Sequence, residues 1–357
     1  MIRRIILLLL VSLGIFFILS RQTDAEQIIN TLQQGDWRWL ILGLLAHLAY
    51  MLNIGASLKA IYRLLGMEEK IERLTLLAAA ANFIIVVAPS AGIGGLAIFA
   101  ADAQKRGHST GRATTAAVVY VFFDYLAALL IVLLGLIILF RRNQLHSGEI
   151  SAALILLVMA IGLGSLLYLG MNSGERLGSA LTRIGALANR IARPFINREY
   201  FNLNRAYEFG LDAAEGLRLA RGSLKSLGLP LLLGLSTKAF MMAILLFMFL
   251  AFGQPLAMDI LIAGFSIGYL FTIVSPTPSG VGFVETAMTL ALNSMRVPIA
   301  TAALIVLSYR GFTLWLTMLY GMIAIRWVGR PAENDVLAKD ESITTHSETH
   351  DIHDKRL

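Results

Sequence analysis

Cysteine is absent from the 357 residues. That excludes disulfides, thiolate nucleophiles and cysteine-ligated zinc or iron–sulfur centres, and it leaves the redox compartment unread. Charge is scarce: 15% of residues are Asp, Glu, Lys or Arg, against about 25% in soluble domains. So few charges do not cover a water-facing surface of this size, which excludes a soluble enzyme built on one core. The sequence also lacks HExxH, CxxC and the GxxxxGK[ST] phosphate loop. Zinc-protease and usual ATP-loop chemistry are therefore unsupported, and neither a cofactor nor a metal is expected. His346, His350 and His353 sit in the polar stretch 331–357, which reads as a disordered tail.

What the chain has instead is apolar length. Hydrophobic residues make up 57%, in runs at 5–20, 40–57, 74–100, 113–140, 150–170, 227–252, 258–294 and 299–328. Several run about 16–20 residues without charge, enough to cross a bilayer core of about 30 Å. The first run follows Arg3 and Arg4 and has no convincing small-x-small cleavage site after it, so it is read as a retained helix and not a signal peptide. The net charge of +7 does not point to nucleic acid, because the basic residues lie between apolar runs as membrane topology requires.

Two runs are interrupted. Residues 89–95 read Pro-Ser-Ala-Gly-Ile-Gly-Gly, and residues 275–282 read Ser-Pro-Thr-Pro-Ser-Gly-Val-Gly. Proline lacks an N–H and glycine holds helical order weakly. Broken backbone survives at membrane depth only where protein or a watery cavity covers it. Both runs are therefore read as re-entrant helical hairpins. With a cytoplasmic N-terminus and each broken run returning to its own side, 23 of the 30 basic residues fall inside. A single crossing at 74–100 would instead expose the arginine-rich segment 171–225, against the positive-inside bias. Arg141 and Arg142 are the awkward feature, since they fall outside.

The expected fold is an all-α polytopic membrane protein with about six full transmembrane helices and two oppositely oriented re-entrant hairpins in an inverted repeat. The units span about 40–140 and 227–328, within one membrane domain 1–330. Such repeats, with discontinuous helices meeting at mid-membrane, belong to transporters. In segment 171–225, Leu177, Leu181, Ile184, Leu187 and Ile191 alternate with Arg176, Arg183 and Arg190. This pattern fits an amphipathic helix on the inner leaflet or a simple cytoplasmic connector.

Charged groups inside a bilayer mark a pathway or an internal pair. The candidates are Asp124, Lys238, Glu285 and Arg310, with His47. One reading has them neutralise one another and hold the halves together. The other has Lys238 and Arg310 hold an anionic head group while Asp124 and Glu285 balance them. Arginine suits phosphate through its planar fork. Pro278, Gly280 and Gly282 in the later break, and Gly92 and Gly94 in the earlier one, allow close ligand approach and present half-helix N-termini to phosphate.

The stretch 275–285 ends in a P-x-P-x-G-x-G-x-x-E pattern that resembles the lysylphosphatidylglycerol synthase transmembrane domain family. That family is the flippase part of the multiple peptide resistance factor and its stand-alone relatives. The earlier Pro/Gly element, Lys105-Arg106, Asp124 and Arg310 also resemble its pattern, although Ala91-Gly92-Ile93-Gly94 departs from the usual charged version. The resemblance implies a lipid flippase or transporter that binds or moves phospholipid, aminoacylated phosphatidylglycerol or a related anionic lipid among the options. It implies a multi-pass protein of the inner or plasma membrane with cytoplasmic termini. Only about 27 polar residues follow Arg330, so aminoacyl transfer is not expected of this chain. A separate lipid-modifying enzyme is the partner such a stand-alone chain implies. The alternatives are a membrane enzyme on a lipid-linked substrate, with Asp124 or Glu285 as acid/base, and a lipid-binding accessory subunit.

Overall fold

The computed structural model describes residues 35–87, 93–192, 202–221, 227–255, 257–275 and 277–328. The expected helix at 5–20, the tip at 88–92 with Pro89 and Gly92, and the tail 331–357 lie outside the described residues. Among the described residues the regular structure is helical, without strands. In chain order the helices are α1 (Trp37–Leu64), α2 (Ile71–Val87), α3 (Ile93–Lys105), α4 (Thr110–Arg141), α5 (Ser147–Asn172), α6 (Gly174–Ala192), α7 (Leu203–Arg221), α8 (Gly228–Ala251), α9 (Met258–Val274), α10 (Phe283–Ser294) and α11 (Ile299–Val328). Helix α11 contains a π-type segment, Gly311–Leu316.

Five helices, α1, α4, α5, α8 and α11, are long and apolar enough to cross a membrane. This is a multi-pass membrane protein. Local chemistry sets their starts. Asp36 accepts from Arg38 N at 3.0 Å, and Ser109 accepts from Arg112 N at 3.1 Å. Each bond satisfies an N–H that has no partner within its helix.

The interrupted runs behave differently. Their arms, α2, α3, α9 and α10, have 17, 13, 17 and 12 residues. At 1.5 Å per residue they reach about 18–26 Å, short of a bilayer core of about 30 Å. Each pair folds back on itself. Gly264 faces Leu292, Gly268 faces Met288, and Gly280 is pressed between Val284 and Thr272, so α9 and α10 are antiparallel neighbours. Gly95 on α3 packs on Ile85 and Ala81 of α2. The open ends are tied together. Arg73 pairs with Asp102, and Arg106 Nη1 with Glu69 Oε2 at 2.7 Å. The first broken run therefore starts and finishes at one end of the molecule. The second does so at the other end, where Ile260, Ser294 and Arg296 line one cavity with Arg142.

The first helices of the two segments, α1 and α8, run antiparallel. Asp36 N donates to Ala251 O at 3.0 Å, and Asn53 Nδ2 donates to Leu233 O at 2.8 Å and Thr237 Oγ1 at 2.7 Å. Beyond this pair, α2 packs on α11 and α9 on α4. Gly321 of α11 lies against Phe83 and the Ala79 carbonyl, and Ser266 Oγ of α9 donates to Ile131 O of α4 at 3.3 Å. Small residues at these crossings let backbones approach, as helix packing in lipid requires.

The arginine-rich segment is not one helix but a pair. Gly178 and Gly210 bring α6 and α7 into close antiparallel contact. Helix α7 then docks on α4. Asp212 accepts from Ser109 Oγ at 2.7 Å and from Gly111 N at 2.9 Å, while Glu215 pairs with Arg112. Ile184 and Leu187 on α6 stay exposed.

Candidate functional site

The later break is built from backbone that glycine favours. Pro278 opens a short 3₁₀ turn, and Ser279, Gly280 and Gly282 have φ of 52°, 73° and 80°. Glu285, in the first turn of α10, accepts from Gly282 N at 2.7 Å. It thereby places a carboxylate at the positive end of the helix. Arg310, buried on α11, closes the unit. Its Nε donates to Glu285 Oε1 and one terminal nitrogen to Ser279 O, each at 2.7 Å. The other terminal nitrogen has no partner among the described residues. The guanidinium therefore clamps the broken tip and still presents an N–H edge. The π-type segment begins at the next residue, Gly311, a distortion that recurs at functional sites.

A second ion pair lies on other helices. Lys238 of α8 is 1% exposed, and its Nζ stands 2.6 Å from Asp124 Oδ1 of α4. Tyr269 of α9 donates its hydroxyl to Asp124 Oδ2 at 2.6 Å. The Lys238 ammonium also lies 4.1 Å from the centre of the Tyr269 ring. Three helices thus meet on one carboxylate. Each intramembrane cation is bonded to a carboxylate: Lys238 to Asp124, and Arg310 to Glu285. His47 is fully buried between the rings of Tyr50 and Tyr320, at 5.7 and 5.8 Å. Neither of its nitrogens has a hydrogen-bond partner among the described residues. Gly94 lies in the first turn of α3, whereas Gly92 is outside the described residues.

Two cavities adjoin these groups. One, of about 160 Å³, is bordered by Arg310, Tyr50, Tyr309, Ser279, Thr313 and Thr317. The other, of about 840 Å³, is mostly apolar and is bordered by Phe99, Val118, Leu163, Leu166 and neighbours on α1 to α5. Asn82, Ile85, Tyr269, Thr272 and Ser279 line both. The chamber at the arginine thus adjoins a larger apolar groove across a shared wall.

The family model described as "Lysylphosphatidylglycerol synthase TM region" matches residues 5–321. The chain belongs to this family. Neither the curated proteins nor the solved structures compared with the chain give a match. Membership fits a membrane protein whose work concerns lipid.

Sequence reasoning overlooked the tyrosines. Tyr50, Tyr120, Tyr125, Tyr269 and Tyr309 all border the two cavities. The available signal was their depth. Membrane tyrosines concentrate at the interfaces, whereas these lie well inside their helices.

Proposed function

We propose that the chain binds a phospholipid in the joined cavities and passes it between leaflets. The phosphate meets the free edge of Arg310, and the acyl chains occupy the apolar groove. The carrying observation is the lining shared by Asn82, Ile85, Tyr269, Thr272 and Ser279, which sets the two cavities side by side and supports reading them as one amphipathic space. Glu285, Gly280, Gly282 and Pro278 hold Arg310 and the tip in place. Lys238 and Asp124 join the two segments beside the chamber through Tyr269. In this reading α2–α3 and α9–α10 are re-entrant hairpins in two inverted units. The end carrying Arg73, Arg106 and α6–α7 faces the cytoplasm of a cell membrane, and α6 lays Ile184 and Leu187 on the inner leaflet. Without an ATP-binding loop, movement follows a gradient or a partner, for which a separate lipid-modifying enzyme is the candidate.

The test is leaflet-resolved transfer of labelled phospholipid in proteoliposomes. A charge-assisted hydrogen bond contributes about 1.5–3 kcal/mol, so Arg310→Ala is expected to slow transfer about tenfold to a hundredfold. Glu285→Ala is expected to slow it as well, because the guanidinium loses its anchor. Transfer unchanged in both variants, with thermal unfolding confirming that they fold, overturns the proposal.

A further inference from the structure

We infer that the head group this chamber takes is an uncharged polyol joined through a phosphodiester, a glycerol- or hexose-sized group, and not a cationic or aminoacylated one. The inference rests on the lipid-binding reading above and narrows its substrate.

Among the described residues that line the two cavities, Arg310 is the only charged one. No carboxylate of the described residues borders the space. Asp124 is bonded to Lys238 and Tyr269, and Glu285 to Arg310 and Gly282 N. An ammonium brought into the chamber would lose its water and find no counter-charge, which is costly. An aromatic face is the other device that receives a cation. Of the tyrosine rings beside the arginine, Tyr269 already carries the Lys238 ammonium, and Tyr50 and Tyr309 share their cavity with the Arg310 cation. A phosphate, by contrast, accepts from the remaining N–H edge of the guanidinium, whose charge stays paired with Glu285.

What the chamber offers is neutral and unspent. The Tyr309 side chain is buried, with 5% exposure, and borders the polar cavity. Its hydroxyl has no hydrogen-bond partner among the described residues, and the same holds for the Tyr50 hydroxyl, the Asn82 amide and the Ser279 hydroxyl. Each of these groups both donates and accepts. An ammonium uses only the accepting half of this set, and a bare phosphate only its donating half. Polyol hydroxyls donate and accept at once. The small volume, about 160 Å³, admits a compact group and leaves the chains to the groove.

The experiment is competition binding on the purified full chain in nanodiscs, with fluorescent short-chain phosphatidylglycerol as probe. The competitors are phosphatidylglycerol, phosphatidylinositol, phosphatidic acid, phosphatidylethanolamine and lysylphosphatidylglycerol. Hydrogen bonds between neutral groups are each worth about three- to tenfold. The glycerol and inositol lipids should therefore displace the probe at concentrations at least threefold below the other three. Tyr309→Phe and Asn82→Ala should each shrink that advantage about three- to tenfold while leaving competition by phosphatidic acid unchanged. Equal or tighter binding of phosphatidic acid or lysylphosphatidylglycerol overturns the inference, as does an undiminished preference in both variants. A probe that binds Arg310→Ala as well as the unsubstituted chain, or that fails to bind the unsubstituted chain, rejects the lipid site itself, which separates the two failures.

Discussion

Lys238 carries its ammonium to a fully buried position, where Asp124 meets it at 2.6 Å. Removing one member of a buried pair leaves an uncompensated charge and costs about 3–5 kcal/mol, whereas replacing both with apolar groups is often nearly neutral. Lys238→Met and Asp124→Leu should therefore each lower the thermal midpoint strongly in detergent. The double variant should recover most of the loss, and additive losses would show that the two groups are uncoupled. The sequence displayed all four intramembrane charges, because charge in an apolar run is conspicuous. It did not display which cation meets which carboxylate. That depends on the rotation of each helix about its axis, set here by glycine contacts such as Gly135 against Ser266. The tyrosines escaped for a related reason: an aromatic in an apolar helix becomes a polar lining group only when its hydroxyl is turned inward.

At the scale of elements, the break at 277–282 is a conformational device. Gly280 combines φ of 73° with a Cβ position already occupied by the Val284 side chain and only 3.2 Å from Thr272 Cα. Gly282 has φ of 80°, but nothing lies within 4 Å of its Cβ position. Alanine at 282 meets only the left-handed penalty of about 1–2 kcal/mol. Alanine at 280 adds a steric clash. Gly280→Ala should therefore lower the thermal midpoint more than Gly282→Ala, and the reverse order would contradict this description of the tip. Proline and glycine made both breaks legible in the sequence, and the five long spans were legible from apolar length alone. The pairing of α6 with α7 was not. Its determinants are single glycines, Gly178 and Gly210, thirty-two positions apart, and periodicity within one helix carries no sign of a partner.

Across the whole molecule, corresponding helices of the two segments meet in a reciprocal pattern. Helices α1 and α8 lie antiparallel, α2 packs on α11 as α9 packs on α4, and each broken run closes at an opposite end. This reciprocity places the later tip and Arg310 beside a groove whose walls come from α1 to α5 and α9. The order of apolar runs suggested two units, but the groove was not legible, because a cavity is the volume that packing leaves unfilled. The most direct measurement of the central claim is photo-crosslinking with a phospholipid that carries a diazirine near the end of one acyl chain. Adducts are expected on the groove wall at Phe99, Val118 and Leu163, and Arg310→Ala should reduce them about tenfold or more. Adducts confined to outward-facing positions such as Leu133 and Ile155, indifferent to the arginine, would contradict the account.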